Sequence, residues 1–349
     1  MALKAVVAGA TGIVGRYLIA HLKRIGEWQV VGLARRPDQT VEGIEWVDVD
    51  LLDPRACADR IGAITGATHL FYAARAARDT DEQENADNAA MLVNLVEALE
   101  PVSPDLAHIN LVHGTKWYGS HLGSFRSPAR EVDPRGPGPY WYFDQQDFVS
   151  ERQRGKDWSW SALRPHFVSG VSVRHPHNIM GVMAVYAAVC RELGRPFDFP
   201  GSTARYETLT QLTDAGLLAE AMVWAGTAPQ CANQAYNIGN GDNVRWRHLW
   251  PMVAELFELE PGTVGEVSLP DFMADKGPLW DEMVARHGLA PYRLDELASW
   301  NYGAFAFGVG WDDMSSTVKA RRHGFHAAVD SFDMVRDVIA TYRRQNLIP

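Results

Sequence analysis

Apolar residues in the first half of the chain fall into short runs separated by stretches of helical spacing. Ala5-Val6-Val7-Ala8 is a run typical of a buried strand. Leu18, Leu22 and Ile25 then recur at intervals of four and three, and Val30, Val31 and Leu33 form a second run. Strand, helix and strand are the predicted elements. Ile44–Val47 reads as a third strand, His69–Tyr72 as a fourth and Ile109–Val112 as a fifth. Trp158–Pro165 reads as a sixth, which Pro165 ends because it cannot donate to a ladder. Between them, Glu82–Leu99 has apolar positions at Met91, Leu92, Leu95 and Leu99, and Tyr140–Phe143 opens a helix running through Phe148 and Val149. Strands alternating with helices predict an α/β fold of Rossmann type, a doubly wound parallel sheet.

Past Pro165 the periodicity is helical and mixed. Met183–Glu192, Asp214–Ala225, Arg247–Phe257 and Phe332–Arg344 read as helices, with short strands around Asp198 and around Ala235-Tyr236-Asn237. The chain thus divides into a nucleotide-binding domain over residues 1–165 and a smaller, mostly helical mixed α/β substrate lobe over residues 166–349. Trp246, Trp250, Trp300 and Tyr302 are read as lobe core. Arg126–Pro139, rich in Pro, Gly and charge, reads as an irregular loop.

The turn after the first strand carries the first chemistry. Gly9, Gly12 and Gly15 make a G-x-x-G-x-x-G pattern that also contains Thr11, Ile13 and Val14. Gly9 suits a tight turn, Gly12 lets backbone N–H groups approach a pyrophosphate, and Gly15 allows close helix–strand packing. A glycine-rich structural turn is the alternative, but the flanking strand and helix favour a dinucleotide. The second strand ends in Arg35 and Arg36, where an NAD-selective site has Asp or Glu for the ribose hydroxyls. Guanidinium groups suit a 2′-phosphate, so NADP(H) is the expected cofactor; a solvated basic turn is the competing reading. Asp50 and Leu51 are placed against the adenine, and Asp53 is placed to cap the helix that starts at Pro54. The exit of strand four, Ala73-Ala74-Arg75, is expected to run past the cofactor, because ligands sit at the carboxyl ends of such strands. Pro165 and Val168 are the expected contacts at the end of strand six.

Composition narrows the class. The 349 residues are 46% hydrophobic and 22% charged, with a net charge of −10, which disfavours nucleic acid and anionic membrane as partners. Three widely spaced cysteines, Cys57, Cys190 and Cys231, point to a reducing compartment and no metal cage. The chain enters its first strand at once, and its longest near-apolar run, Ile179–Cys190, is too short to span a bilayer. A cytoplasmic enzyme is expected, acting on a small molecule; a homodimer is compatible with this reading.

Strand five ends in His113-Gly114-Thr115-Lys116-Trp117-Tyr118. The chain has six lysines, so Lys116 at the carboxyl end of a strand, beside aromatics, stands out. A surface loop lysine is the alternative, and His113 is given no role. None of the six lysines has Tyr four residues before it, so the usual Tyr-x-x-x-Lys pair is absent.

The motifs GATGIVG, GLARRP, THLFY, GTKWYG, SALRP, VYAAVC, DFPGS, NQAYNIGNGDNVRWRHLW and NLIP together resemble the progesterone 5β-reductase/iridoid synthase-like family. That family is an atypical branch of the extended short-chain dehydrogenases/reductases. The resemblance implies an extended short-chain dehydrogenase fold and NADPH-dependent 1,4-reduction of the activated C=C bond of an enone or enal. It also implies a catalytic Lys at Lys116, which would order the nicotinamide ribose as well, and a tyrosine donor on the helix after the Pro-Gly loop. Anchoring on Gln146-Asp147 puts the family tyrosine on Phe143 and the preceding aromatic on Tyr142. Neighbours on a helix point about 100° apart, so Tyr142 takes the role only if the helix start brings it round. Tyr140 would share the Phe143 face if the helix has begun there. Tyr142 is the expected donor. A carbonyl reductase or epimerase-like enzyme, and an NADP(H)-binding sensor without turnover, are the alternatives.

Overall fold

The computed structural model describes residues 3–38, 41–265 and 267–349. Seven strands form one parallel sheet: β1 (Leu3–Ala8), β2 (Trp28–Ala34), β3 (Glu45–Asp48), β4 (His69–Tyr72), β5 (His108–Val112), β6 (Ser159–Pro165) and β7 (Gln234–Ile238). Their order is β7-β6-β5-β4-β1-β2-β3. The chain winds outward from β1 to β3 and then returns to the other side of β1 with β4. That reversal leaves a crevice at the carboxyl ends of β1 and β4, where such sheets bind ligands.

The alternation along β1 explains the two layers of helices. Ala5 and Val7 face α1 (Ile13–Ile25), while Val6 and Ala8 face α2 (Asp81–Leu99). α1 contributes Leu18, Ile19 and Leu22 to the first layer and ends at Gly26, in the left-handed conformation at φ 74°. α2 contributes Leu92, Leu95 and Leu99 to the second, together with Val149 of α3 (Trp141–Gln153). Each fully buried side chain of this size stabilises by roughly 1.5–3 kcal/mol.

The second half has its own core. α4 (Ile179–Glu192), α6 (Trp246–Leu256), α7 (Trp300–Gly308) and α8 (Ser331–Arg344) pack around Met183, Tyr186, Trp250, Phe307 and Ile339. Trp250 stacks on Phe197 at 4.1 Å, so Trp246 and Trp250 are core as expected. The division at residue 165 does not hold for the sheet. β7 pairs with β6 from Gln234 beside Ser161 to Ile238 beside Pro165, and α5 (Ala215–Thr227) covers the same face as α1. The pattern around Tyr236 identifies a strand but not the neighbour it joins. No helix among the described residues is long and apolar enough to cross a membrane.

Candidate active site

A cleft of about 510 Å³ opens at the carboxyl ends of β1, β2 and β4. Gly9, Thr11, Gly12, Ile13 and Val14 form one wall. Gly9 has φ 77°, and a Cβ there would lie 2.7 Å from the Ala73 carbonyl oxygen. Gly15 lies behind the cleft, where a Cβ would meet the Gly9 oxygen at 2.3 Å, so only glycine lets α1 sit this close to the turn. Gly12 starts α1 with no side-chain cap. The first-turn N–H groups and the positive end of the helix dipole are therefore left to an anion. This cradle fits a dinucleotide pyrophosphate. Arg35, Asp50, Leu51, Ala73 and Ala74 also line the cleft.

Other expected contacts lie outside the lining. Arg36 is exposed beside Arg35. Asp38, further along, takes Arg16 Nη2 at 2.7 Å. Asp53 is the helix cap: its Oδ1 accepts from the Arg55 and Ala56 N–H groups at 2.9 and 3.1 Å. Pro165 ends β6, buried, and Val168 pairs with Thr213 in a short parallel bridge.

The β5 end holds the second group of residues. Gly114 is extended, and Thr115–Tyr118 then makes one tight helical turn that carries Lys116. Lys116 Nζ lies 5.6 Å from the Tyr140 ring centre and 5.5 Å from that of Phe305. It has no hydrogen-bond or ion-pair partner among the described residues. Burial, and next the charge of Arg75, lower its pKa, while Glu84 and Asp81 oppose that shift. His113 is buried between Trp117 and Tyr142, its ring centre 5.9 and 4.6 Å from theirs. Burial and the charge of Arg164 hold it well below the usual histidine range, so it is neutral.

The helix start separates Tyr142 from Phe143. α3 begins at Trp141, with Tyr140 as its extended N-cap residue, so Tyr140 is not on the Phe143 face of a helix already begun. Phe143 is buried edge-on against Trp117 at 5.1 Å, in a cluster with Tyr118 and Ala129. Tyr142 stacks on His113, and its hydroxyl lies 3.2 Å from where a Gly114 Cβ would be. No unwinding is needed to bring Tyr142 to the end of β5, and the family position that the sequence puts on Phe143 is turned into the core. The Tyr142 hydroxyl has no hydrogen bond among the described residues, and burial pushes its pKa up to about 12.

The lobe supplies residues that the sequence reading did not assign to the site. α7 brings Phe305 over Lys116, and Tyr302 meets His177 edge-on at 5.5 Å. His177 lines the cleft, and so does Arg75, which comes from the exit of β4 and not from the lobe. Tyr302, read as core, is only half-buried. The Arg174-His175-Pro176-His177 stretch is a polar loop soon after a strand end, which was the available signal for His177. No cluster of three or more His, Cys, Asp or Glu among the described residues could hold a metal.

Known proteins bear on this arrangement. The chain is 34% identical over 341 residues to (S)-8-oxocitronellyl enol synthase of Nepeta racemosa, covering 92% of this chain and 87% of that protein. It is 32% identical over 365 residues to 3-oxo-Δ4,5-steroid 5β-reductase of Arabidopsis thaliana, covering 99% and 93%. Among solved structures, UDP-glucose 4-epimerase of Thermus thermophilus in complex with NAD superposes with a TM-score of 0.69 at 19% identity, covering 98% of this chain and 99% of that one. That likeness bears on the fold alone. The profile of the PRISE-like Rossmann-fold domain matches residues 39–309. With the glycine cradle, the Lys116 turn and these relatives in agreement, the chain belongs to the progesterone 5β-reductase/iridoid synthase-like (PRISE) family.

Proposed function

We propose that this protein is an NADPH-dependent oxidoreductase that reduces the activated C=C bond of a small enone or enal. The observation that carries the reading is that Lys116, over the Tyr140 ring, and the unpartnered Tyr142 hydroxyl, beside Gly114, both stand at the carboxyl end of β5 in the sheet that carries the dinucleotide cleft. The names of the two plant relatives, a steroid 5β-reductase and an enol synthase, support it. Arg35 at the mouth of the cleft supports a 2′-phosphate, hence NADPH. The three cysteines are free and buried, which fits a cytoplasmic setting.

Bound NADPH supplies the hydride. The chain's own groups deal with the charge that then builds on the substrate oxygen. Tyr142, protonated across the neutral range, donates a hydrogen bond to that oxygen. Lys116 adds positive potential beside the Tyr140 and Phe305 rings, and charge stabilisation of this type is worth roughly 3 kcal/mol per well-placed donor. Phe305 and Tyr302 stand on the lobe side, against Lys116 and His177.

The test is NADPH consumption with a cyclic enone, an enal and a simple ketone. Oxidation with the first two alone is expected. Turnover of the ketone would instead indicate a carbonyl reductase, and tight NADPH binding without turnover of any of the three would indicate a sensor.

A further inference from the structure

Arg75 is a cation at the edge of the site that the mechanism above leaves unused. It follows β4 and lines the cleft with His177. Glu84, in the first turn of α2, takes Arg75 Nε at 3.1 Å and Nη2 at 2.8 Å on a single oxygen, Oε1. Its Oε2 accepts from the Arg78 N–H at 3.4 Å. The pair is therefore held side-on and lacks the two-oxygen fork. A guanidinium has five N–H donors; Nη1 of Arg75 has no partner among the described residues.

The same stretch of α2 fixes the other side of the site. Asn85 Oδ1 accepts from the Trp141 N–H at 3.1 Å, and its Nδ2 donates to the Pro139 oxygen at 3.4 Å. Asn88, four residues after Glu84 and so on the same helix face, clasps both backbone groups of Ala76 at 2.8 and 2.7 Å. Gln145 Nε2 donates to the Asn88 oxygen at 2.8 Å. One turn of helix thus ties the strand end bearing Arg75 to the helix start bearing Tyr142. The Arg75 charge acts on Tyr140, Tyr142, Lys116, His177 and Tyr302.

We propose that Arg75 is a further catalytic residue, a cationic donor to the substrate carbonyl oxygen, and that Glu84 is its positioning residue. This rests on the 1,4-reduction reading. Hydride adds to the β-carbon, the C=C pair moves to form the enolate double bond, and the carbonyl π pair moves onto oxygen. The nicotinamide is oxidised by two electrons and the substrate is reduced by two. Arg75 hydrogen-bonds that oxygen and keeps its own proton, and water later protonates the α-carbon. A guanidinium does not release a proton in a protein. It therefore stabilises the enolate oxygen as a permanent cation and does not act as the acid of the reaction.

The test uses p-nitrophenol, a planar phenol whose ionised form imitates the enolate and absorbs at its own wavelength. It is bound to the enzyme–NADP⁺ complex and titrated with pH. The wild type should lower the ionisation midpoint of the bound phenol. Arg75→Met should raise the bound midpoint by about one unit or more relative to wild type, Arg75→Lys should keep part of the effect, and Glu84→Gln should fall between. Circular dichroism confirms that each variant is folded. Arg75→Met should also lower kcat on an enone about ten-fold or more, with the KM for NADPH nearly unchanged. Equal midpoints in wild type and Arg75→Met, or a raised KM for NADPH with kcat intact, would overturn the assignment. Ionisation of the phenol by a wild type that reduces no enone would sink the reductase reading and leave the oxyanion role standing. Enone reduction unaffected by Arg75→Met would sink this inference alone.

Discussion

Tyr142 and Phe143 are adjacent in sequence and opposite in setting: Tyr142 lies against His113 and Gly114, and Phe143 is buried against Trp117. The aromatic cluster was legible as a helix start, and Lys116 was legible from its rarity and its place after β5. Which aromatic turns to the β5 end was not, because a tyrosine and a phenylalanine in one short run have nearly the same pattern value. It depends on the helix beginning at Trp141, one residue later than the aromatic run. Tyr142→Phe is expected to lower enone turnover about ten-fold, whereas Phe143→Tyr should leave turnover within about two-fold or lower stability, since its hydroxyl would enter the Trp117 cluster. A Phe143→Tyr variant that speeds turnover would show that this slot faces the substrate. Lys116 has a lowered pKa from burial and Arg75, so its proton is lost below the ordinary lysine range. Turnover against pH should hold through neutrality and fall on an alkaline limb; Tyr142, pushed up to about 12, does not set that limb. Lys116→Arg should move the limb upward, and coincident limbs would remove the Lys116 charge from catalysis.

At the scale of elements, the β1–α1–β2 unit was readable in nearly full detail, since glycine spacing, helical period and strand runs all agree there. Its packing gives a sharp expectation. A methyl at Gly15 would overlap the Gly9 oxygen, so Gly15→Ala should destabilise by about 1–3 kcal/mol and weaken NADPH binding, measured by thermal unfolding and by fluorescence titration. A variant as stable as wild type would mean that α1 has room to move. At the end of β2, Arg35 lines the cleft and Arg36 does not. Arg35→Ala should raise the KM for NADPH far more than that for NADH, by the roughly 1.5–3 kcal/mol of a charged hydrogen bond, and Arg36→Ala should do less. Equal effects on the two cofactors would remove the 2′-phosphate reading. β7 shows where local pattern stops: Ala235, Tyr236 and Asn237 read as a strand, but their pairing with β6 is a long-range choice that no window around them contains.

Across the molecule, the two halves interleave, because β7 and α5 return to the sheet from within the stretch that otherwise builds the lobe. The crevice at the β1/β4 reversal follows from strand order, and its order follows from the alternating elements of the first half. Most of the lobe face was not legible: Tyr302 and Phe305 come from a helix whose pattern says only that it is apolar, and His177, in the loop before α4, left only the weak signal of a polar stretch after a strand. Charge is organised at the same scale. In a chain with a net charge of −10, Lys116 stands over the Tyr140 and Phe305 rings, and the charge of Arg75, itself paired with Glu84, acts on it. Hydride transfer to the carbon β to a carbonyl is tested most directly by following the hydride. The protein is supplied with NADPH deuterated on the transferring face of nicotinamide C4 and with a cyclic enone, and the product is read by nuclear magnetic resonance. The account requires a saturated ketone with deuterium on the former β-carbon. Deuterium on a carbinol carbon, in an alcohol that keeps its C=C bond, would contradict it.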